Sequence, residues 1–340
     1  MRRLLGLICF LVAACDIPTD LPEWNPTYAV PLAGVSIGVA QLLPPSVTLT
    51  DDRTAFSISI APVSFSTSLG QLCPACAAFN GQTVPKPAFS GTLSAAIPLP
   101  ADVLGATLIF GRLRFAARNG FSFDPIRPGG AQTGSLTVRV TEAGGALIGS
   151  QVITGAQRPW PPGATLTDSL ALAGSGAAFT VALTIDSPAG GAAQINTAAR
   201  IDVTATPVQL RLSAVQLRVQ NRQISAQPVQ LDLTGIDDFI IDRVRGGKLV
   251  LEATNGFGVG GTMTLVVSSG ATQITKQVDM PSTNATVEVP FTEAELESML
   301  GHVVVLSFSG LVSSAAAVTV TPAASFSVAP LLVVELGPSS

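Results

Sequence analysis

Two segments of this chain repeat one another, and they decide the fold. Residues 111–121 read GRLRFAARNGF, and residues 247–257 read GKLVLEATNGF. Apolar and polar residues alternate in both segments, as in a half-buried β-strand. The next apolar segments also match, LTVRV at 136–140 with MTLVV at 263–267. The repeat therefore predicts two copies of one β-rich unit.

A second pair of segments supports the duplication. SISIAPVSF at 57–65 resembles DVTATPVQL at 202–210. In both segments the apolar alternation changes phase across the proline, Pro62 or Pro207. Such a phase change predicts a β-bulge or a bend, where the missing N–H of proline costs no ladder hydrogen bond.

These patterns predict an all-β fold of two tandem, internally duplicated immunoglobulin-like β-sandwich units with one short helix. The helix is predicted from a capping box, Thr292 with Glu295, and it is predicted to end at Gly301. The predicted boundaries are a signal peptide at 1–14, a Pro-rich tether at 15–31, an N-terminal β extension with a CxxC loop at 32–85, and β-sandwich units at 86–220 and 221–340.

The loops that follow the repeated strands are the predicted binding rim. Asn-Gly dipeptides favour the positive φ angles of tight turns, and the first copy has nine extra residues in the next loop, around 124–133. Loops on a rigid scaffold commonly carry function. The predicted rim consists of Asn119, Gly120, Phe121, Asp124, Arg127, Asn255, Gly256 and Phe257.

The order of strand, Asn-Gly-Phe turn and strand resembles the sandwich domains of the late-embryogenesis and water-stress families. In those families an Asn-Pro stands where this chain has Asn119-Gly120 and Asn255-Gly256. The resemblance implies a sandwich fold and nothing about activity.

The N-terminus has the pattern of an export signal. Arg2 and Arg3 precede an apolar stretch from Leu4 to Ala14, which is too short to span a membrane as a helix. Small residues directly before Cys15 resemble the lipobox of bacterial lipoproteins. The resemblance implies that Cys15 is diacylated and anchors the chain in the cell envelope, at the outer membrane or the periplasmic face of the inner membrane. The alternative is an ordinary secretory signal that leaves Cys15 free or disulfide-bonded.

Composition excludes some partners. Only 12% of the 340 residues are charged, and the mean hydropathy is +0.49. The formal charge of −4 becomes −6 once Arg2 and Arg3 leave with the leader. An acidic chain with few grouped basic residues is a poor nucleic-acid binder, so we expect no nucleic-acid partner.

Two cysteines remain after the leader and Cys15. Cys73 and Cys76 form the motif CPAC, and in an oxidising compartment they predict a local disulfide that fixes a loop. The alternative is a redox motif, which would need a helix N-terminus and a thioredoxin-like setting. The flanking residues predict neither.

The sequence has no motif that predicts catalysis, a metal or a cofactor. His302 is the only histidine, and it precedes an apolar segment, so we expect a strand-end residue. The aspartates at 51–52 and at 237, 238 and 242 are expected to cap turns, with a calcium site at the second group as the weaker alternative. Lys86 lies in no recognisable motif.

The sequence thus predicts a lipid-anchored envelope protein of non-catalytic type, acting as a structural, adhesion or binding module. Its expected contacts are the membrane, through the lipid on Cys15, and an envelope protein or an apolar ligand. High hydropathy with few aromatic residues leaves a carrier of apolar molecules as one alternative. An envelope hydrolase is the second alternative.

Overall fold

The structure is a computed structural model that describes residues 26–129 and 132–337. The predicted signal peptide, Cys15 and most of the tether lie outside the described residues. The fold is all-β and consists of antiparallel sheets that form β-sandwich units, as predicted. Buried and exposed residues alternate along the strands, and the buried apolar side chains form a continuous core.

The first sandwich contains a four-stranded sheet and a seven-stranded sheet. The four-stranded sheet, in the order β10-β9-β12-β7, consists of β7 (Phe89–Ile97), β9 (Ser135–Glu142), β10 (Leu147–Thr154) and β12 (Phe179–Ser187). The seven-stranded sheet consists of β3 (Val47–Leu49), β4 (Phe56–Ile58), β5 (Val63–Ser68), β8 (Val103–Asn119), β11 (Thr165–Gly176), β14 (Arg200–Leu217) and β22 (Val318–Val320). Its main order is β11-β8-β14-β4-β3, and both β5 and β22 pair with β14.

The second sandwich contains two five-stranded sheets. One consists of β15 (Arg222–Ser225), β16 (Val229–Asp232), β18 (Gly260–Ser269), β19 (Thr272–Met280) and β21 (Val303–Ser313). The other consists of β1 (Thr27–Pro31), β2 (Val35–Gly38), β17 (Val244–Asn255), β20 (Ala285–Thr292) and β23 (Ser325–Leu336). A separate pair is formed by β6 (Thr83–Pro85) and β13 (Ala192–Gln194).

The strand order is duplicated along with the sequence. The order β11-β8-β14 in the first sandwich corresponds to β20-β17-β23 in the second, and β10-β9-β12 corresponds to β19-β18-β21. Aligned core positions are buried in both copies, such as Leu113 with Leu249 and Phe115 with Leu251. The repeated segments therefore occupy equivalent central strands.

Strand pairing crosses the predicted unit boundaries. β1 and β2 pair with β23 of the second sandwich, whereas β4 and β5 pair with β14 of the first. β22, which lies late in the sequence, also pairs with β14. The segment predicted as an N-terminal extension, 32–85, thus supplies strands to both sandwiches.

The predicted bulge is present in β14. Its register against β8 shifts between Val208 and Arg211, directly after Pro207, and Gln209 has a φ of +53°. In the matching earlier segment the chain leaves the sheet instead, because β4 ends at Ile58 and β5 begins at Val63. Regular pairing is interrupted near the proline in both places, although Pro207 itself stays in register with Leu113.

The predicted helix start is confirmed in α3 (Glu293–Glu297), with both hydrogen bonds of the Thr292–Glu295 capping box. The predicted end at Gly301 is wrong, because α3 ends at Glu297 and a hydrogen-bonded turn continues to Gly301, whose φ is +74°. The prediction of a single helix is wrong, because α1 (Leu69–Leu72) and α2 (Asp238–Ile241) are also formed. Each contains four residues, which is too short to produce a helical periodicity in the sequence.

Candidate functional site

The predicted rim loops are built on two asparagines that make the same hydrogen bonds. Asn119 accepts from the backbone N–H of Phe121 at 2.9 Å and donates to the carbonyl of Phe123 at 2.9 Å. Asn255 likewise accepts from Phe257 at 3.0 Å and donates to Val259 at 2.8 Å. Each side chain therefore closes its own loop from inside.

Three of the predicted rim residues have no accessible side chain. Asn119, Phe121 and Phe257 are all buried, and the two phenylalanines belong to the core. They cannot contact a partner in this structure. Gly120 and Gly256 are exposed at the start of each loop, so the surface of the predicted rim is much smaller than the sequence suggests.

The expected positive φ angles are absent from both Asn-Gly dipeptides. The glycines serve close packing instead. A Cβ atom on Gly120 would lie 2.3 Å from the carbonyl oxygen of Arg200, and one on Gly256 would lie 2.7 Å from that of Ser325. The tight-turn interpretation is wrong because the asparagine side chain, and not a left-handed backbone, turns the chain.

The extra loop of the first copy is held by Asp124 and Arg127. The half-buried Asp124 carboxylate accepts from the backbone N–H groups of Ile126 and Arg127 at 2.9 and 2.8 Å. The exposed Arg127 donates to the carbonyls of Gly155 and Ala156 at 2.6 and 3.0 Å. Both side chains thus stabilise the loop, and Arg127 keeps an exposed part.

Lys86 is the only buried charged side chain among the described residues. Its ammonium group donates to the backbone carbonyls of Pro87, at 2.8 Å, and Pro188. It also lies 5.0 Å from the ring centroid of Phe89 and 5.6 Å from that of Phe123. Burial lowers the pKa of this ammonium group to about 8. The surroundings are those of a structural cation that joins two loops.

The remaining predicted groups have local structural roles. Cys73 and Cys76 form a disulfide, and both are buried. Asp237 accepts from the N–H of Phe239 at the start of α2, as predicted for a cap. His302 is exposed directly before β21. Among the described residues, no three His, Cys, Asp or Glu side chains form a group that could hold a metal ion.

A different surface stands out on β8. Ile109 and Phe110 are consecutive residues of one strand, yet their exposed fractions are 55% and 40%. Regular strand geometry would bury one of them. Relative to both β11 and β14, β8 carries an extra residue between Leu108 and Gly111. This bulge turns both apolar side chains outward.

Three arginines continue the same face of β8. Arg112, Arg114 and Arg118 are exposed and alternate with the buried residues of the strand. Among the described residues, none of the three has a carboxylate within ion-pair distance. We call the exposed row Ile109, Phe110, Arg112, Arg114 and Arg118 the outer strip of β8.

The neighbours of the outer strip are small or carry hydroxyl groups. Arg112 lies in register with Ala171 and Val208, and Arg114 lies in register with Ser169 and Thr206. Shallow depressions of about 350 Å³ and about 930 Å³ lie beside Arg114 and beside Ile109 and Phe110, respectively. No bulky neighbour in these registers covers the guanidinium groups.

Acidic groups lie at both ends of the strip, and Asp168, which pairs with Arg158 at 3.5 Å, lines the depression beside Arg114. Asp202 is in register with Arg118. Near Phe110, Arg211 forms an ion pair of 2.9 Å with Asp52. Hydrogen bonds from the Thr50 hydroxyl and from backbone and side-chain groups, Arg211 included, hold the pKa of Asp52 well below its usual range. Because Asp52 and Asp168 are each paired with another arginine, Arg112 and Arg114 keep no carboxylate partner among the described residues.

The duplicated strand provides an internal comparison. The outward residues of β17 that match Arg112, Arg114 and Arg118 are Lys248, Val250 and Thr254. Lys248 is neutralised by Glu288 at 2.7 Å. The second sandwich thus forms the same fold with a single cation at these three positions, and that cation is paired. The sandwich fold therefore does not require arginine at the positions of Arg112, Arg114 and Arg118.

The apolar cleft between the sheets of the first sandwich bears on the carrier alternative. Only apolar residues line it, Ile97, Val140, Phe179 and Leu212 among them. The room inside is about 20 Å³, which is enough for about one water molecule. A lipid chain does not fit into this cleft as it stands.

Sequence reasoning missed the outer strip. Arg112, Arg114 and Arg118 were visible as alternating cations, and the repeat shows that the second copy lacks them. Their isolation from carboxylates depends on neighbouring strands far away in the sequence. The outward turn of Ile109 depends on a bulge that no local residue signals.

Comparisons with known proteins add no functional assignment. No protein-family profile and no curated protein matches the chain. The fold is similar to an inferred secreted protein from Parabacteroides distasonis, with 10% identity, a TM-score of 0.35 and coverage of 92% of this chain and 100% of that chain. It is also similar to the structure of Broad Bean Stain Virus, with 12% identity, a TM-score of 0.24 and coverage of 86% and 91%. Scores this low carry no argument about function.

Within residues 26–129 and 132–337, no helix is long and apolar enough to cross a membrane.

Proposed function

We propose that this chain is a cell-envelope lipoprotein of non-catalytic type, anchored through Cys15, that binds an anionic partner through the outer strip of β8. The anchor is supported by the leader, in which Arg2 and Arg3, a short apolar stretch and small residues precede Cys15. The lipid would place the module at the outer membrane or at the periplasmic face of the inner membrane.

The outer strip is the observation that carries the binding role. Within the described part of this acidic chain with few charges, Arg112 and Arg114 form no ion pair. Guanidinium groups bind phosphate and carboxylate groups through two parallel hydrogen bonds. Because β17 forms the equivalent strand without these arginines, a role in binding explains them better than a role in folding.

A carrier of apolar molecules is less well supported. The cleft between the sheets of the first sandwich has room for about one water molecule. An envelope hydrolase has no support from the surroundings of His302, which is exposed beside β21 and whose ring Nδ1 lies 3.0 Å from the carbonyl of Leu300.

The anchor is tested by intact mass and membrane fractionation of the expressed full chain. We expect a lipid-modified mass beginning at Cys15, and we expect Cys15→Ala to lose both the lipid and the membrane association. Cys9→Ala is the matched control, because Cys9 would leave with the leader. An unmodified wild-type chain would contradict the anchor and leave the binding proposal standing.

The binding role is tested by retention on phosphocellulose in a salt gradient. We expect Arg112→Thr/Arg114→Thr to elute at clearly lower salt than the wild type. The control, Arg139→Thr/Arg218→Thr, removes two exposed arginines outside the strip and should elute close to the wild type. Equal elution of both double variants would show that net charge, and not the strip, determines binding.

A further inference from the structure

We infer that the anionic partner of the outer strip is a bilayer containing anionic phospholipids, with Arg112 and Arg114 at the headgroup phosphates and Ile109 and Phe110 in the interface. The inference rests on the proposed function, in which this strip binds an anionic partner. It names the chemical class of that partner.

The apolar pair favours an amphiphile over a soluble anion. Ile109 and Phe110 stand next to the arginines on one strand, and their exposed fractions are 55% and 40%. An anionic polymer in water would leave both side chains exposed. A bilayer interface takes up apolar side chains just below the headgroups and binds basic residues at its anionic surface.

The side-chain lengths suit the same arrangement. An arginine side chain has a long apolar stem, so its guanidinium group can stay at the level of the phosphates while the stem lies along apolar surface. Ile109 and Phe110 are shorter and have no polar group. Lying on the same outward face, the two kinds of side chain can reach the two layers of a bilayer interface together.

The surrounding sheet allows a close approach. Arg112 is flanked by Ala171 and Val208, and the hydroxyl groups of Ser169 and Thr206 flank Arg114. Small side chains do not hold a flat surface away, and the hydroxyls add hydrogen-bond donors for phosphate oxygens. Asp202, beside Arg118, limits the contact at that end.

The sequence supplies a further reason for a membrane partner. The first described strand, β1, begins at Thr27, only twelve residues after Cys15 in the sequence. An extended chain of that length spans at most about 43 Å. A lipid on Cys15 would therefore keep the module near a bilayer and raise its effective concentration there.

The test is co-sedimentation with vesicles of phosphatidylcholine alone or of phosphatidylcholine with phosphatidylglycerol. The protein is residues 16–340, which retains every described strand and lacks the apolar leader. We expect binding to the anionic vesicles only. The affinity of Arg112→Thr/Arg114→Thr for the anionic vesicles should be roughly ten- to thirtyfold lower, because two arginines are lost. The affinity of the Arg139→Thr/Arg218→Thr control should change little.

A second pair of variants tests whether Ile109 and Phe110 enter the bilayer interface. We expect Ile109→Ser/Phe110→Ser to weaken binding to the anionic vesicles severalfold. Leu147→Ser/Val152→Ser, which changes two exposed apolar residues of β10, should bind as the wild type does. Thermal unfolding of each variant checks that the fold is retained.

Three results would overturn the inference. If strip-dependent retention on phosphocellulose persists without binding to anionic vesicles, the partner is a different anion and the proposed function survives. If Ile109→Ser/Phe110→Ser binds these vesicles as tightly as the wild type, the apolar pair has no part in docking. Loss of strip dependence in both assays would end the proposed function as well.

Discussion

Asn119 and Asn255 form the same internal clasp in the two copies of the fold. Each side-chain oxygen accepts from the backbone N–H two residues later, and each amide donates to the carbonyl four residues later. The amide of Asn119 also reaches the carbonyl of Trp160 at 2.8 Å, and that of Asn255 reaches the carbonyl of Pro281. Both copies of the duplicated unit thus end their central strand with the same hydrogen-bonded asparagine.

The first prediction concerns the buried clasp. Asn119→Ala should lower the free energy of unfolding by about 3 kcal/mol. It leaves one backbone N–H and two carbonyls without hydrogen-bond partners in the core. Asn255→Ala should cost less, since Asn255 is only half-buried. Urea unfolding measures both values. Equal costs for the two variants would show that burial does not determine the strength of the clasp.

The second prediction separates close packing from backbone conformation. Gly120→Ala should cost about 1–3 kcal/mol, because its Cβ would meet the carbonyl oxygen of Arg200 at 2.3 Å. Gly38→Ala is the control, since nothing lies within 4 Å of its Cβ and its φ is negative. The same unfolding experiment compares them. A neutral Gly120→Ala would contradict the packing role.

The third prediction is a pH dependence from Lys86. Burial lowers the pKa of Lys86 in the folded protein to about 8, whereas the value in the unfolded chain is 10.5. Between these values the unfolded state binds more protons, so this residue makes stability rise with pH across that window. Below about pH 8 both states are protonated and the destabilising contribution is fully present.

The measurement compares the wild type with Lys86→Met at pH 7 and pH 10. The free energy of unfolding of the wild type should rise relative to that of the variant as the pH increases. A constant difference between the two proteins would show that Lys86 titrates alike in both states.

The fourth prediction concerns the disulfide. Cys73 and Cys76 are separated by three positions, so the bond closes a short loop and constrains the unfolded chain only a little. Cys73→Ala/Cys76→Ala should fold and lose about 2 kcal/mol. Urea unfolding of the variant, beside the wild type with and without reductant, checks this. Failure of the variant to fold would show that the loop closed by the disulfide is essential for folding.

Some of this architecture could be predicted because its signals are local or repeated. Alternation around Leu113 and Leu249 indicated two equivalent strands, and Thr292 with Glu295 indicated the start of α3. Each signal depends on residues within one element. The change of phase across Pro207 is local in the same way, and the bulge lies where it predicted.

Other features depend on distant partners and could not be predicted. β1 pairs with β23, close to the opposite end of the chain. The role of Gly120 depends on the carbonyl of Arg200, eighty positions away in the sequence. The sequence therefore pointed to the loops as the binding surface, whereas the surface that we propose lies on a strand, β8.

The most direct test replaces Arg114 and Arg118 of β8 by the residue types that the duplicated strand β17 carries at the matching positions. A chain of residues 16–340 with Arg114→Val/Arg118→Thr carries the residue types that β17 has at Val250 and Thr254. Its affinity for vesicles containing phosphatidylglycerol is measured beside that of the wild type. We predict an unchanged fold and an affinity about fivefold lower, since Arg118 lies beside Asp202 and Arg114 contributes most of the loss. An affinity equal to that of the wild type would contradict the claim that the outer strip is the binding surface.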